Sequence, residues 1–232
     1  MDHSSLSHQP HKALDPVVLP SRWVVLDTET TGVIATRDQI VSIGAVAVSD
    51  AEIQPQDSFE CVIRQPYNSS SVVVHGITQD ESERRGTSES EALLAFSEYI
   101  KDACLVGHHV EFDVTILNHR MKHKTGRVVS NPFLDTMELV IAMEEAKWID
   151  PRPSPNDFGL DALCRHFNVK RSGRHTAPGD AFITALIFIR LLSIAANREP
   201  DMVRRLIHPG IPPSEKDRVS KPGSNGQEEK KA

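Results

Sequence analysis

The stretch from Trp23 to Gly32, Trp-Val-Val-Leu-Asp-Thr-Glu-Thr-Thr-Gly, decides the fold of this chain. Its apolar start predicts a buried β-strand, and its Thr-Thr-Gly end predicts a polar turn. Because residues i and i+2 of a strand point to the same side, Asp27 and Glu29 are expected to project together from the strand end. Two adjacent carboxylates repel each other unless a cation lies between them, and such oxygen ligands suit Mg²⁺ or Mn²⁺. The alternative is a strand that ends in a solvated polar turn.

The composition is that of an ordinary globular protein. The chain has 232 residues, 39% of them hydrophobic and 25% charged, with a formal net charge of −6. This charge argues against a protein that holds duplex nucleic acid by charge alone, although clustered acidic metal ligands would contribute to it. The cysteines Cys61, Cys104 and Cys164 match no zinc pattern, and their small number favours a reducing compartment.

The same features predict a cytoplasmic protein without membrane contact. The N-terminus lacks the basic start and apolar run of a signal peptide. No uninterrupted apolar stretch reaches the ~20 residues that span a bilayer.

Three regions differ in composition. Residues 1–20 are polar and contain prolines, which predicts a flexible N-terminal arm. Residues 21–197 carry the periodic apolar patterns of a folded domain. Residues 198–232 are expected to form a C-terminal extension, disordered from about residue 211, where Pro, Gly, Ser, Lys and Glu dominate.

Strand patterns come first in the folded region, and helix patterns follow. Further strands are predicted at residues 39–48, 59–63, 103–107 and 133–134. Helices are predicted at residues 79–82, 112–121, 136–146 and 177–195, and two more are predicted to begin near residues 88 and 157. The first three strands have short connections, with a polar link around Gln54, Pro55 and Gln56, and predict an antiparallel meander. Asp157 is expected to cap the helix that follows it. The later alternation of strands and helices predicts a mixed α/β sheet flanked by helices.

Three other segments carry candidate site residues. In residues 107–113 (Gly-His-His-Val-Glu-Phe-Asp) a strand ends and a helix begins, so Asp113 would lie near the strand ends. The helix dipole alone could also account for an acid there. In residues 175–180 (His-Thr-Ala-Pro-Gly-Asp) a histidine lies in a loop, and Asp180 enters an apolar helix, where it needs a partner. Residues 75–78 (His-Gly-Ile-Thr) could be only a turn.

Together these segments resemble the exonuclease motifs of the DEDDh, or DnaQ-like, branch of the DEDD superfamily. The order and spacing of the motifs agree over residues 22–193. The branch includes the proofreading epsilon subunit of DNA polymerase III, ribonuclease T and oligoribonuclease. One difference is His109, where the family commonly has Asn.

The resemblance implies a ribonuclease H-like mixed five-stranded sheet, an antiparallel meander followed by parallel strands, with its first strand central. It also implies two divalent metal ions, Mg²⁺ or Mn²⁺. The implied metal ligands and catalytic acids are Asp27, Glu29, Asp113 and Asp180. His175 would be the general base, and Asp135 would be structural or a helix cap.

The expected substrate contacts surround this centre. They are Thr30, Thr31, Gly32, His75, Ile77 and Arg174. The first five would lie against the terminal nucleotide. Arg174 ends a basic run that leads into His175, and it would bind phosphate unless this run is an ordinary solvated surface.

The predicted function is a 3′–5′ exonuclease that releases 5′-nucleoside monophosphates from single-stranded or frayed DNA by a two-metal mechanism with a histidine base. One alternative is a 3′–5′ exoribonuclease acting on RNA or short oligonucleotides, because nothing in the motifs decides contact with the 2′-hydroxyl. Another is a non-catalytic nucleic-acid-binding or polymerase-accessory subunit. The expected partners are single-stranded 3′ ends, with a polymerase or a second copy of the chain as further candidates.

Overall fold

The structure of this chain is a computed structural model that describes residues 19–64, 76–154 and 156–210. Most of the predicted N-terminal arm, the chain from residue 211 onward and the candidate substrate residue His75 lie outside the described residues.

A five-stranded sheet with the order β3-β2-β1-β4-β5 forms the centre of the molecule. Its strands are β1 (Trp23–Thr30), β2 (Ile40–Ser49), β3 (Glu52–Val62), β4 (Cys104–Gly107) and β5 (Phe133–Asp135). The first three strands pair antiparallel, whereas β4 pairs parallel with β1, and β5 pairs parallel with β4. The predicted mixed sheet, with its first strand central, is therefore confirmed.

Helices cover both faces of the sheet. They are α1 (Gln79–Arg85), α2 (Glu89–Ile100), α3 (Val110–Thr125), α4 (Thr136–Glu145), α5 (Leu160–His166), α6 (Ala177–Ala196) and α7 (Asp201–Arg205). Val24 and Leu26 of β1 pack into one core together with α2 and α3. Trp23 and Val25 pack into the other core together with α4, α5 and α6. This alternation places Asp27 and Glu29 on the α6 side of β1 and Thr28 on the α3 side.

At Gly44 the backbone of α6 closely approaches the sheet. Gly44 pairs with Asp27 across β1 and β2. A Cβ atom at Gly44 would lie 2.1 Å from the backbone nitrogen of Pro178 and 2.2 Å from the carbonyl carbon of Ala177. Only glycine lets the first turn of α6, which carries Asp180, come this close to the end of β1.

The third strand is longer than predicted. Residues 54–56, expected to form a polar link, lie within β3. Among the described residues this strand is at the edge of the sheet and pairs only with β2, so polar residues and Pro55 are tolerated there. The pairing register shifts opposite this region, between Val46 and Ala47.

The predicted helix cap at Asp157 is wrong. The N-cap of α5 is Gly159, which makes no side-chain capping bond. The Asp157 carboxylate instead accepts a hydrogen bond from the Gly159 N–H at 3.2 Å, which forms a short turn before the helix.

The start of the predicted C-terminal extension packs on the domain. Met202 and Val203 of α7 are buried. His208 exchanges two backbone hydrogen bonds with Phe133 of β5, of 2.8 and 3.0 Å, and their rings stack. The sequence did not predict α7, because this short helix shows no apolar periodicity. The division at residue 197 and the properties of the chain beyond 210 stay predictions.

By length and apolar composition, α6 is the one helix among the described residues that could span a membrane. Its buried residues include Ile183, Ile187 and Leu191, and they pack in the core on one face of the sheet. In this fold α6 is a core helix.

Candidate active site

Three carboxylates converge at the end of β1. Asp27 and Glu29 come from the strand, and Asp180 comes from the first turn of α6. One oxygen atom of each lies within 4.8 Å of the others, which is the arrangement that a single cation requires. The separation of Asp27 and Glu29 by one strand residue and the close approach of α6 at Gly44 together produce this cluster.

The fourth predicted acid, Asp113, is buried in the first turn of α3. Its Oδ1 atom accepts hydrogen bonds from the backbone N–H and the hydroxyl of Thr28, at 2.9 and 2.6 Å. These bonds tie α3 to the face of β1 opposite Glu29. Asp113 is outside the three-oxygen group, yet its charge raises the pKa of Asp27, so the two acids are neighbours.

The close packing of these acids disfavours their charged forms. Burial, followed by the charges of Asp113, Asp180 and Glu29, raises the pKa of Asp27 well above its usual range. Burial and the charge of Asp180 raise the pKa of Glu29 to about 7. Burial also raises the pKa of Asp113 to about 7, against the opposing effect of its hydrogen bonds from Thr28. A bound dication would reverse this preference by stabilising the ionised acids.

The surroundings of Asp180 fit a metal ion. Its Oδ1 atom is buried without a hydrogen-bond partner, a costly state for a carboxylate oxygen that a cation would relieve. Its Oδ2 atom accepts hydrogen bonds from the guanidinium of Arg174 and from the backbone N–H of His175. One oxygen is thus fixed by the protein, and the other remains available for a metal.

Arg174 lies between two acids and is partly buried. Besides Asp180, it contacts Asp161 of α5, with its Nε atom 2.8 Å from the Asp161 carboxylate. Its charge lowers the pKa values of Asp27 and Glu29, against the effect of burial. The predicted phosphate contact of Arg174 therefore stays a prediction, because in this structure the guanidinium neutralises carboxylates.

His175 lines the same cleft as the three acids, and the cleft has a volume of about 310 Å³. The residue is exposed and has a left-handed backbone conformation, with φ of 64°. Its loop packs tightly on α6, because a Cβ atom at Gly179 would lie 1.9 Å from the carbonyl oxygen of Gly173. Thr176 caps α6 by accepting a hydrogen bond from the Gly179 N–H at 3.2 Å. The histidine is thus presented to the cleft from a well-anchored loop.

Asp135 holds the starts of two helices, as expected of a structural cap. Its carboxylate accepts backbone hydrogen bonds from His109 and Val110 at the start of α3, at 3.2 and 3.0 Å. It also caps α4 through the N–H of Met137 at 2.8 Å. His109 itself adopts a left-handed conformation, with φ of 59°. Asn and His both tolerate this conformation better than most residues, so the backbone here can accept either of them.

His108 is a site residue that the sequence did not reveal. It lines the cleft, and its Nε2 atom is 2.7 Å from the carbonyl oxygen of Phe158. Burial and the neighbouring His109 lower the pKa of His108 to about 4, so its imidazole is neutral at physiological pH. Its sequence signals were its place between a strand end and a helix start and its position in the Gly-His-x-x-x-Phe-Asp segment of the family resemblance, but neither gave it a role.

The predicted substrate turn is close to β1 but does not line this cleft. The Thr30 hydroxyl donates to the Gly32 carbonyl at 2.6 Å, and the Thr31 hydroxyl accepts from the Gln39 N–H at 3.0 Å. A Cβ atom at Gly32 would lie 2.5 Å from the Asp38 carboxylate, so a larger residue there would displace this side chain. Ile77, half-buried before α1, is also absent from the described lining of the cleft. The substrate contacts of these residues stay predictions.

The fold and these motifs coincide with a known family. A family model described as exonuclease (RNase_T) matches residues 24–188, and the chain therefore belongs to this exonuclease family. The family resemblance inferred from the motifs is confirmed.

Relatives of the chain are PolC-type DNA polymerases III. The protein of Caldanaerobacter subterraneus is 35% identical over 175 residues, which cover 75% of this chain and 12% of the relative. The Bacillus subtilis protein is 30% identical over 179 residues, covering 76% of this chain and 12% of the relative. The chain thus spans about an eighth of the length of these polymerases.

Solved structures show the same fold. Exonuclease I of E. coli in complex with a dT13 oligonucleotide has a TM-score of 0.66 and 18% identity, and the match covers 76% of this chain and 42% of that chain. Cell-death related nuclease 4 has a TM-score of 0.65 and 16% identity, with coverage of 75% and 64%. At these identities the likeness concerns the fold.

Proposed function

We propose that this chain is a metal-dependent 3′–5′ exonuclease that hydrolyses single-stranded or frayed DNA and releases 5′-nucleoside monophosphates. The observation that carries this proposal is the convergence of Asp27, Glu29 and Asp180 within 4.8 Å, with an unpartnered buried oxygen on Asp180. Membership of the exonuclease family supports a nuclease that acts on nucleic acid.

The four acids divide naturally between two ions of Mg²⁺ or Mn²⁺. Asp27, Glu29 and Asp180 would hold one ion, because their oxygens form a single group. Asp113 would join Asp27 in holding the second, because the family resemblance implies four acidic ligands and the charge of Asp113 acts on Asp27. When bound, the ions supply charge neutralisation at the phosphate and lower the pKa of the attacking water.

The protein's own groups complete the reaction. His175 would accept the proton of the attacking water, since an imidazole can take up a proton near neutral pH. The neutral His108 lines the same cleft, with its Nε2 atom 2.7 Å from the Phe158 carbonyl oxygen, and adds no competing charge. Arg174 holds Asp180 in the orientation that leaves one carboxylate oxygen available.

His175→Ala is expected to lower turnover by about 10²–10⁴-fold, because the general base is lost. Binding of Mn²⁺, measured by calorimetry, should be retained, since His175 is not one of the proposed metal ligands. His123→Ala, which changes an exposed histidine of α3, is the matched control. Undiminished turnover in His175→Ala would remove this residue from the base role.

Paired digestion of matched DNA and RNA oligomers tests the proposed substrate and direction. With Mg²⁺ or Mn²⁺, DNA labelled at its 5′ end should give a ladder of stepwise shortened products, and a 3′-phosphate should block the start of digestion. DNA is expected to be cut faster than RNA, because the chain is similar to part of DNA polymerases. Faster digestion of RNA would favour the exoribonuclease alternative, and no metal-dependent cleavage of either would reject the proposed function.

The proposed setting is the cytoplasm, at single-stranded 3′ ends made available near a polymerase. The similarity to part of PolC-type polymerases supports this context. Association with a polymerase and assembly into a homodimer remain predictions.

A further inference from the structure

Asp161 is an acid that lies outside the catalytic cleft and yet is bonded to a residue of that cleft. It is in the first turn of α5, and its side chain is 40% exposed. The described lining of the cleft includes the neighbouring Gly159 and Leu160 but not Asp161 itself. Asp161 can therefore influence the proposed metal ligands through a partner side chain.

That partner is Arg174, which lines the cleft and has a side chain that is only 18% exposed. Its Nε atom donates to Oδ1 of Asp161 at 2.8 Å, and its Nη1 atom donates to Oδ2 of Asp180. Arg171 lies 3.8 Å from the other oxygen of Asp161, in a more exposed and therefore weaker contact. One guanidinium thus joins an outlying acid to a proposed metal ligand.

The two carboxylate oxygens of Asp180 have different surroundings. Oδ2 accepts hydrogen bonds from Arg174 and from the backbone N–H of His175, the latter at 3.3 Å. Oδ1 is buried and has no hydrogen-bond partner among the described residues. A guanidinium commonly binds a carboxylate through two parallel hydrogen bonds, one to each oxygen. The contact of Arg174 with a single oxygen of Asp180 is therefore a constrained arrangement.

Asp161 accounts for this constraint. The guanidinium is planar and its N–H groups have fixed directions, so a hydrogen bond at Nε limits where the other nitrogens can point. With Nε held by Asp161, Arg174 presents Nη1 to Oδ2 of Asp180 and leaves Oδ1 open. Released from Asp161, the flexible arginine side chain would be free to turn and bind both oxygens of Asp180.

We propose that Asp161 is a positioning residue that keeps Arg174 from competing with a metal ion for Oδ1 of Asp180. The inference rests on the proposed metal-dependent function and gives a role to a residue outside the four metal ligands. Arg174 then neutralises Asp180 from one side, while the other side of the carboxylate stays open to a cation.

A cycle of single and double variants tests this role through metal binding. In calorimetric titrations with Mn²⁺, Asp161→Ala should bind about 10- to 100-fold more weakly than the wild type, the loss typical of removing a residue that orients a metal ligand. In an Arg174→Gln background the same substitution should have no effect, because the competing guanidinium is absent. The double variant should accordingly bind Mn²⁺ more tightly than Asp161→Ala alone, whereas a merely structural defect would not be relieved by a second substitution.

Further variants separate position from charge. Asp161→Asn keeps an acceptor for the Nε atom of Arg174 and should bind Mn²⁺ more tightly than Asp161→Ala. Asp201→Ala is the matched control and should bind like the wild type, because Asp201 is also in the first turn of a helix and also pairs with two arginines, Arg204 and Arg205. Thermal melts in EDTA establish that each variant is folded. Asp161→Ser, which shortens the side chain by one bond and removes its charge, takes the place of Asp161→Ala if that variant does not fold.

A crystal structure of metal-free Asp161→Ala gives a direct view of the arginine. The guanidinium of Arg174 should be bonded to both oxygens of Asp180, instead of to Oδ2 alone. An arginine that keeps its wild-type position in this variant would contradict the proposed restraint by Asp161.

The outcomes of the titrations distinguish the two proposals. A folded wild type that binds no Mn²⁺ would reject the proposed metal centre and, with it, the role of Asp161. A wild type that binds Mn²⁺ and is matched by Asp161→Ala would overturn the role of Asp161 alone. A loss that persists in the Arg174→Gln background, or equal losses in Asp161→Asn and Asp161→Ala, would also overturn it, because Asp161 would then act by its charge or on the fold.

Discussion

Asp27→Asn is expected to reduce exonuclease activity by at least ~10³-fold and, at the same time, to stabilise the metal-free protein. The loss follows because Asp27 faces all three other acids and would bind both ions, and losing ~4 kcal/mol of transition-state stabilisation corresponds to ~10³-fold in rate. The gain follows because the amide removes a buried carboxylate from a group of like charges.

The stability gain of metal-free Asp27→Asn over the wild type should increase with pH. The folded-state pKa of Asp27 is raised above its unfolded value of about 3.9, so ionising Asp27 costs the wild type stability as the pH rises above that value. Asn cannot ionise, and in EDTA the melting temperature of Asp27→Asn should exceed that of the wild type by a margin that grows above about pH 4. A change of ~1 kcal/mol corresponds to ~2–4 °C in a domain of this size.

Thermal melts in EDTA and in Mn²⁺, together with a nuclease assay, check both parts. In Mn²⁺ the order should reverse, because the wild type gains the free energy of metal binding and the variant does not. Asp102→Asn, at an exposed acid outside the site, serves as the control. Full activity in Asp27→Asn, or a metal-free variant less stable than the wild type at pH 7.5, would contradict the assignment of a metal-binding acid cluster.

Gly44→Ala is the second change with a large expected effect. Its methyl group would lie 2.1 Å from the Pro178 nitrogen, and backbone cannot rotate away as a side chain can. The first turn of α6 must therefore move outward and carry Asp180 away from Asp27. We expect a loss of ~1–3 kcal/mol in the free energy of unfolding and, for a displacement of ~1 Å, a ~10²-fold loss of activity.

Chemical denaturation measures the stability of Gly44→Ala, and calorimetry with Mn²⁺ measures its site. Ser49→Ala, at the far end of the same strand, is the control for substitution within β2. If Gly44→Ala binds Mn²⁺ and cleaves DNA like the wild type, the close approach of α6 does not set the position of Asp180.

Local patterns in the sequence predicted part of the centre of this molecule, whereas the central position of β1 and the inclusion of Asp113 in the site were implied by the family resemblance. The alternation of side chains along β1 predicted that Asp27 and Glu29 lie on the same face of the strand. The apolar residues around Asp180 predicted that its carboxylate needs a partner. Both inferences depend on short-range geometry, which the sequence specifies directly.

Features that depend on distant segments were not predictable in this way. The extent of β3 follows from its edge position, which tolerates polar residues that usually end a strand. The pairing of Arg174 with Asp161 joins a loop to a separate helix, and only the folded chain brings them together. The support of Phe158 by Arg152 and two histidines likewise arises from the packing of three separate segments.

Arg174 gives the acidic cleft a counter-charge that belongs to the chain. Without a counter-charge from the protein, repulsion among the four acids would favour opening of the cleft whenever metal ions were scarce. Here the guanidinium, anchored to Asp161, already offsets part of the repulsion at Asp180. We therefore expect the folded state to persist when bound metal is removed by a chelator, and metal binding to be restored without unfolding of the chain.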